Sequence, residues 1–324
     1  MRVLIFGAGP LGSLYAHLLQ QAGSAVTLLA RGTRHDWLKE NGLILVDEMT
    51  GEESRSRVDL IDRLTPGDHF DLAIVLVRKN KLAPVCKDLA GCSGISNILF
   101  MGNNALGLDD YLEYLPRQKL LFGFPNAGGG FRGQVVHYAD RETPKGKRRA
   151  VVIGEIGGER SERLLEIKEL FQSAGFPVDT PANIDGWLKY HVALVSPLVG
   201  ALYRHNCNNY ELSKDKEALR LLVRAANEGA RVLEELGFKE SEPPQFKLMK
   251  WMPEFLSIMA LKKMLESKFA EIAFAMHARS ARDEMMQLSR EFEALRKLTS
   301  IKTPNIHALV QDYGLSGQAQ RPGR

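Results

Sequence analysis

The sequence predicts an α/β domain built on a parallel sheet, followed by an all-helical domain, and three observations carry that prediction. An apolar run, Val3-Leu4-Ile5-Phe6, leads straight into Gly7-Ala8-Gly9-Pro10-Leu11-Gly12 and then into a helical pattern (Leu14, Leu18, Leu19, Ala22) that stops at Gly23. Further apolar runs, Ala25 to Ala30 and Asp71 to Val77, suit strands buried on both faces of a parallel sheet. From about Ala182 onward only helical periodicities follow.

A chain of 324 residues has room for two domains, each with its own core. The expected division is a first domain over 1–181, a helical domain over 182–313 and a flexible tail over 314–324. With 44% hydrophobic and 25% charged residues the composition is that of an ordinary globular protein. No apolar segment reaches the length of a membrane span, and the N-terminus enters a strand directly, so a cytoplasmic protein is expected. Three cysteines, Cys86, Cys92 and Cys207, come without a CxxC pair or clustered histidines, which argues for small buried residues and against a disulfide framework or a metal site. The net charge of +4 suits anionic small molecules and does not call for nucleic acid. Its densest cluster, Lys145 to Arg149, reads as a solvated loop.

The opening strand, glycine turn, helix and second strand make one βαβ unit of the Rossmann type. Gly7 lets the chain turn sharply off the strand, Gly9 leaves no side chain between backbone and a pyrophosphate, and Gly12 lets the helix sit close to the strand. The N–H groups at the helix start then face the phosphates, which assigns Gly7, Gly9, Pro10, Leu11 and Gly12 to cofactor binding. The second strand ends in Ala30-Arg31-Gly32-Thr33-Arg34, where an NAD-selective site would carry Asp or Glu. A guanidinium suits a 2′-phosphate by charge and by its bidentate fork, so NADP(H) is the expected cofactor.

A short helix over Asp36 to Asn41 and a strand over Gly42 to Val46 come next. The buried strand then ends in Arg78-Lys79-Asn80-Lys81, a polar cluster expected to face the cofactor, because ligands of open α/β sheets lie beyond the strands' carboxyl ends. Asn97 to Met101 ends the same way, in Gly102-Asn103-Asn104-Ala105-Leu106-Gly107. Lys119 to Phe124, Gly133 to Tyr138 and Arg149 to Ile156 read as strands that extend the sheet. A helix over Ser161 to Gly175 and a strand over Phe176 to Asp179 complete the domain near Pro181.

In the second domain, Asp185 to Tyr203 has helical spacing, and Pro197 is expected to kink or interrupt it. Ser213 is expected to cap a long helix with Leu219, Leu222, Val223, Ala226, Ala230 and Leu233 on one stripe, closed by Gly237. Further helices are expected over Pro253 to Arg279, Arg282 to Leu298 and Pro304 to Tyr313. Phe255, Leu256, Met259, Leu261 and Met264 read either as core or as a dimer surface.

Several segments together resemble the ketopantoate reductase family: Gly7 to Gly12, Ala30-Arg31-Gly32, Asn104 to Gly107, Trp187-Leu188-Lys189, Asn206 to Leu212 and Asp283-Glu284-Met285. The resemblance covers nearly the whole chain. It implies a Rossmann-type domain followed by an all-α domain like the C-terminal part of 6-phosphogluconate dehydrogenase, and NADPH-dependent reduction of a 2-oxo acid such as ketopantoate, a step of pantothenate biosynthesis. It also implies a catalytic set. Lys189 falls on the family's proton-donating lysine, Glu284 on the glutamate that contacts the substrate hydroxyl and orients the lysine, and Asn104 on the asparagine near nicotinamide and substrate. Arg78 stands where the family usually has a lysine, which leaves it a role in binding.

The family's asparagines, four and eight residues beyond that lysine, fall on Ala193 and Pro197, and a shift by one residue gives Val192 and Ser196. Loss of hydroxyl-binding amides disfavours ketopantoate itself and leaves a related 2-oxo acid or ketone. His191, Ser196, Arg204 and His205 are the polar candidates for contacting such a substrate. The expected partners are a small carbonyl compound and a second copy docked through the helical domain. Two other readings stay open: a different NADP-dependent hydroxy-acid or opine-type dehydrogenase on the same two-domain plan, and a non-catalytic NADPH sensor that engages a protein partner.

Overall fold

The computed structural model describes residues 1–311. They form two compact units, one of residues 1–103 and 107–185, the other of residues 104–106 together with the chain from Gly186 on.

The first unit holds twelve strands: β1 (Arg2–Phe6), β2 (Ala25–Leu29), β3 (Leu43–Asp47), β4 (Glu53–Ser56), β5 (Asp59–Ile61), β6 (Phe70–Val75), β7 (Ile95–Met101), β8 (Leu120–Phe124), β9 (Gly128–Arg132), β10 (Val135–Ala139), β11 (Val151–Glu155) and β12 (Val178–Asp179). Eight of them make the main sheet, in the order β12-β11-β8-β7-β6-β1-β2-β5, parallel except where β8 meets β11. The chain lays β1, β2 and β5 to one side and then returns to lay β6, β7 and β8 on the other. The order therefore reverses between β1 and β6, where Phe6 lies beside Val75. Such a switch point is where open α/β sheets bind ligands. Five helices accompany the strands: α1 (Pro10–Gln21), α2 (Gly32–Asn41), α3 (Leu82–Ala90), α4 (Asp109–Leu112) and α5 (Glu162–Ser173).

The region after β8 departs from expectation. The strand expected over Gly133 to Tyr138 does not extend the main sheet; β9 and β10 join β3 and β4 in a second sheet ordered β4-β3-β10-β9. The reason lies in α1. Every residue from Gly12 to Leu19 is buried, so the helix needs apolar cover on two sides. Leu43, Leu45, Val136 and Tyr138 of the small sheet supply the second side, in one core with Leu14, Tyr15 and Leu18. The basic run is likewise only partly a free loop: Arg148 donates to Asp140 (2.7 Å) and to the Ala174 carbonyl (2.8 Å), and Arg149 pairs with Glu142. All three cysteines are free thiols in buried positions.

The second unit packs nine helices: α6 (Ile184–Arg204), α7 (Asn209–Leu212), α8 (Lys216–Glu235), α9 (Pro244–Trp251), α10 (Glu254–Leu265), α11 (Lys268–Ala270), α12 (Met276–Ser280), α13 (Arg282–Arg296) and α14 (Pro304–Val310). Helix α6 continues through Pro197, which removes the helical bond to the Ala193 carbonyl. Helix α8 is capped by Asp215, not Ser213: its carboxylate accepts from the Glu217 and Ala218 N–H groups, both at 3.0 Å. Those bonds, the Ala218 one foremost, hold the Asp215 carboxyl below its ordinary pKa. Ser213 instead donates to the Tyr210 carbonyl.

The helix expected from Pro253 to Arg279 is broken after Leu265, where Ser267 caps α11 by accepting from Ala270 N, and a π-helical turn over Glu271–Ala275 leads into α12. Leu261 and Met264 pack on the core, whereas Phe255 (61% exposed), Met259 (62%) and Trp251 (87%) face outward. The buried Glu228 of α8 accepts from the Asn305 and Ile306 N–H groups and so caps α14. The expected end of that helix at Tyr313 and the tail over 314–324 lie outside the described residues. Among the described residues no helix is long and apolar enough to cross a membrane.

Candidate functional site

The glycine turn leaves the carboxyl end of β1 at the switch point. Gly7 has φ +114°, a conformation that favours glycine, and a Cβ there would meet the Leu76 carbonyl at 2.9 Å. A Cβ on Gly12 would lie 1.8 Å from the Gly7 carbonyl, so helix and turn touch backbone to backbone. Gly9 differs: nothing stands within 4 Å of its missing Cβ, and its φ of −68° is open to any residue. The turn thus offers an open space in front of Gly9, with Pro10 at N1 and the N–H groups of Leu11 and Gly12 in the first helical turn. Those features fit a dinucleotide pyrophosphate.

The two arginines after β2 have different tasks. Arg34 is tied inward. It donates to the Gln134 carbonyl (2.7 Å), Ser13 Oγ (3.2 Å) and the Ala8 carbonyl (3.3 Å), between the rings of Trp37 and Phe131. Burial brings its pKa down to about 10. Arg34 is thereby a buttress of the glycine turn. Arg31 remains half exposed, with its guanidinium over the Phe6 ring and Nη2 at 2.6 Å from Asp88 on α3. Asp88 had no sequence signal, being fifty-seven positions from Arg31.

Beyond β6, Arg78 is half-buried and occupies the residue before the short 3₁₀ turn over Lys79–Lys81. Lys79, expected to face the cofactor, turns inward instead: its ammonium is 3.1 Å from Asp110 and 4.7 Å from the Tyr111 ring, which ties the end of β6 to α4.

Lys189, Glu284 and Asn104 all lie in the second unit and are buried, 3%, 3% and 1% exposed respectively. Lys189 is on the second turn of α6, its ammonium 5.0 Å from the centre of the Phe238 ring. Glu284 sits in the first turn of α13, where the helix dipole favours a carboxylate, and is 3.8 Å from His277. Asn104 is held beside the same helix: the next residue, Ala105, donates its N–H to Glu291 (3.4 Å), itself fixed by Gln287 (2.8 Å). Glu291 follows Glu284 by two helical turns and so shares its face. Ala105, Tyr190 and Met285 belong to one core cluster, which links the three segments. A lysine, a glutamate and an asparagine at this depth are sustained only by partners of their own or by a ligand.

The altered positions after Lys189 also have a physical basis. Ala193 is fully buried against α8, where a Cβ on Gly229 would come within 2.9 Å of the Ala193 Cβ. The pair of small residues brings the two helices together and leaves no room for an amide. Ser196 lies seven residues beyond Lys189, on the same helical face, and is buried. The other polar candidates have structural work. His191 stacks on Trp187 with ring centres 5.5 Å apart, Arg204 donates to the Ala308 carbonyl, and His205 bridges the Ala201 carbonyl (2.8 Å) and Asp215 (3.1 Å). His277 near Glu284 was not singled out in the sequence, and only the fold brings it there. Among the described residues no group of His, Cys, Asp and Glu side chains is arranged to hold a metal ion.

Comparison with known proteins gives a consistent picture. Residues 3–148 match the family model described as ketopantoate reductase PanE/ApbA. The 2-dehydropantoate 2-reductase of Pyrococcus horikoshii is 25% identical over 245 residues, 74% of this chain and 75% of the relative. Among solved structures, 2-dehydropantoate 2-reductase from Geobacter metallireducens aligns with a TM-score of 0.78 at 17% identity, over 96% of this chain and 98% of that one. The ternary structure of D-mandelate dehydrogenase with NADH and anilino(oxo)acetate aligns with a TM-score of 0.75 at 18% identity, over 97% of each chain. At such identities the structural likeness carries the fold.

Proposed function

We propose that the chain is a divergent member of the ketopantoate reductase family, an oxidoreductase with a nicotinamide dinucleotide cofactor, and that it reduces a 2-oxo acid with NADPH, using Lys189 as the proton donor. The burial of Lys189, 3% exposed as a residue, is the observation that supports this reading most, because a lysine serving only as surface charge would not be kept in a core.

In this reading Gly7, Gly9, Pro10, Leu11 and Gly12 hold the pyrophosphate against backbone N–H groups. Arg31 holds the 2′-phosphate, and Arg78 adds positive charge at the neighbouring strand end. The reduced nicotinamide supplies a hydride when bound. Lys189 delivers the proton to the carbonyl oxygen as that oxygen becomes an alkoxide, and the Asn104 amide donates a hydrogen bond to the same oxygen or to the substrate carboxylate. Glu284 positions the ammonium and accepts from a polar group of the substrate. The Phe238 ring lies over the ammonium, its centre 5.0 Å away, as one wall of its surroundings.

The closed contact between Ala193 and Gly229 favours a 2-oxo acid without the hydroxyl that family amides would bind. The outward face of Trp251, Phe255 and Met259 supports pairing of two copies through the helical unit.

Replacing Lys189 by Met tests the assignment. It should lower kcat by about 10²–10⁴-fold while leaving the dissociation constant for NADPH nearly unchanged. A variant that keeps wild-type kcat would remove Lys189 from the chemistry.

A further inference from the structure

We propose that Asp88 sets the choice between NADPH and NADH by sharing the Arg31 guanidinium with the 2′-substituent of the adenosine ribose. The inference rests on reading the glycine turn as a dinucleotide site, and it goes further in naming a residue that governs which dinucleotide is taken.

In a parallel sheet of this order, the end of β2 is where the adenosine ribose is read. An acid at that point accepts from a 2′-hydroxyl, and an arginine nearby accommodates a 2′-phosphate. Here the strand end itself carries no acid, since Ala30 precedes Arg31. The acid arrives from elsewhere: Asp88, near the end of α3, places Oδ2 at 2.6 Å from Arg31 Nη2. Arg31 is held on two further sides, by its Nε bond to the Asp62 carbonyl (3.3 Å) and by the face of the Phe6 ring (5.6 Å). Phe6 is the last residue of β1 and directly precedes Gly7. The guanidinium and its carboxylate therefore stand at the same sheet edge as the glycine turn, and both keep exposed surface, 51% and 39% of their side chains.

An ion pair this exposed adds little to folding stability. Its consequence is for what Arg31 can bind. A 2′-phosphate carries close to two negative charges and must either displace the carboxylate from Arg31 or sit beside it, and both options weaken its binding. A 2′-hydroxyl meets neither penalty, because it is neutral and can donate to the Asp88 carboxylate. One residue thus restrains NADPH and assists NADH, and the protein combines in two side chains from different elements the two devices that sheets of this type usually use singly. The expected result is a protein that accepts both cofactors, with a modest preference for NADPH.

Fluorescence titration of the full-length protein with NADPH and with NADH tests this directly. Asp88→Asn keeps the shape and a carbonyl acceptor for Arg31 but removes the charge, and Asp88→Ala removes both. Each should tighten NADPH binding by about fivefold to tenfold, a size set by one charge near a partly solvated phosphate, and should leave NADH unchanged or weaker. Arg31→Gln should weaken NADPH about tenfold and NADH little, and in its background Asp88→Asn should lose most of its effect, since the two residues act on one group. Equal changes for both cofactors in the Asp88 variants, or no change for either, would overturn the proposal while leaving the dinucleotide site in place. Failure of the unaltered protein to bind either cofactor would overturn the site and the proposal together.

Discussion

The glycine turn of the first unit and the buried polar residues of the second are built by opposite means. The turn is a place from which side chains have been removed: Gly7 and Gly12 are fixed by contacts with the protein's own backbone, and Gly9 by nothing in the protein at all. The second region is a place into which polar side chains have been driven, with Lys189, Glu284 and Asn104 all nearly inaccessible in a helical core. A backbone cradle follows from the local order of strand, turn and helix. A set of buried side chains follows from the packing of segments far apart in the chain, so its geometry is tied to the stability of the whole unit.

The two glycines of the turn allow the sharpest break in that comparison. Gly12→Ala should destabilise the first unit by about 3 kcal/mol or more, because a Cβ would be driven against a carbonyl in a close-packed interior, and thermal denaturation would register it. Gly9→Ala should leave the melting temperature unchanged and weaken dinucleotide binding about tenfold or more, measured by titration. A Gly9→Ala protein with full affinity would mean that the open space in front of the turn is not where the pyrophosphate lies.

The counterpart test in the second unit is Ala193→Asn. With α6 and α8 in contact at Gly229, the larger side chain should cost about 1–3 kcal/mol of stability and should confer no turnover of ketopantoate. A stable variant that gained that activity would show that position 193 faces the substrate.

The smallest effect is a pH dependence in the first unit. His17 on α1 accepts from or donates to Ser56 at 2.9 Å, and burial, assisted by the charge of Arg148, holds its pKa below the ordinary 6.5. The folded unit favours the neutral ring while the unfolded chain takes up a proton near its ordinary value. His17 therefore contributes fully above about pH 6.5, and its contribution falls as the pH drops from there toward the depressed folded value. The melting temperature should drop between about pH 7.5 and about pH 5.5, and His17→Gln should make the drop smaller. Equal drops in both proteins would assign the acid sensitivity to other groups.

What was legible in the sequence divides along the same line. The glycine turn, its strands and the parallel sheet could be read because each depends on residues adjacent in the chain. The small second sheet could not, since only the all-round burial of α1 requires it, and burial is a property of the packed unit. Arg31 could be named but not separated from Arg34, whose partners Gln134, Ser13 and Ala8 come from three different segments. In the helical unit, residue spacing alone made Lys189 and Glu284 ordinary surface charges, and only the resemblance to a family marked them. Ser213 and Asp215 are both good capping residues two positions apart, and only the backbone path, which aims the Glu217 and Ala218 N–H groups at Asp215, decides between them.

NADPH oxidation by the purified protein against branched, straight-chain and aromatic 2-oxo acids, ketopantoate among them, and repeated with NADH, tests the central claim most directly. The account predicts turnover of a 2-oxo acid other than ketopantoate, abolished in Lys189→Met. Tight binding of NADPH with no oxidation across the panel would contradict it.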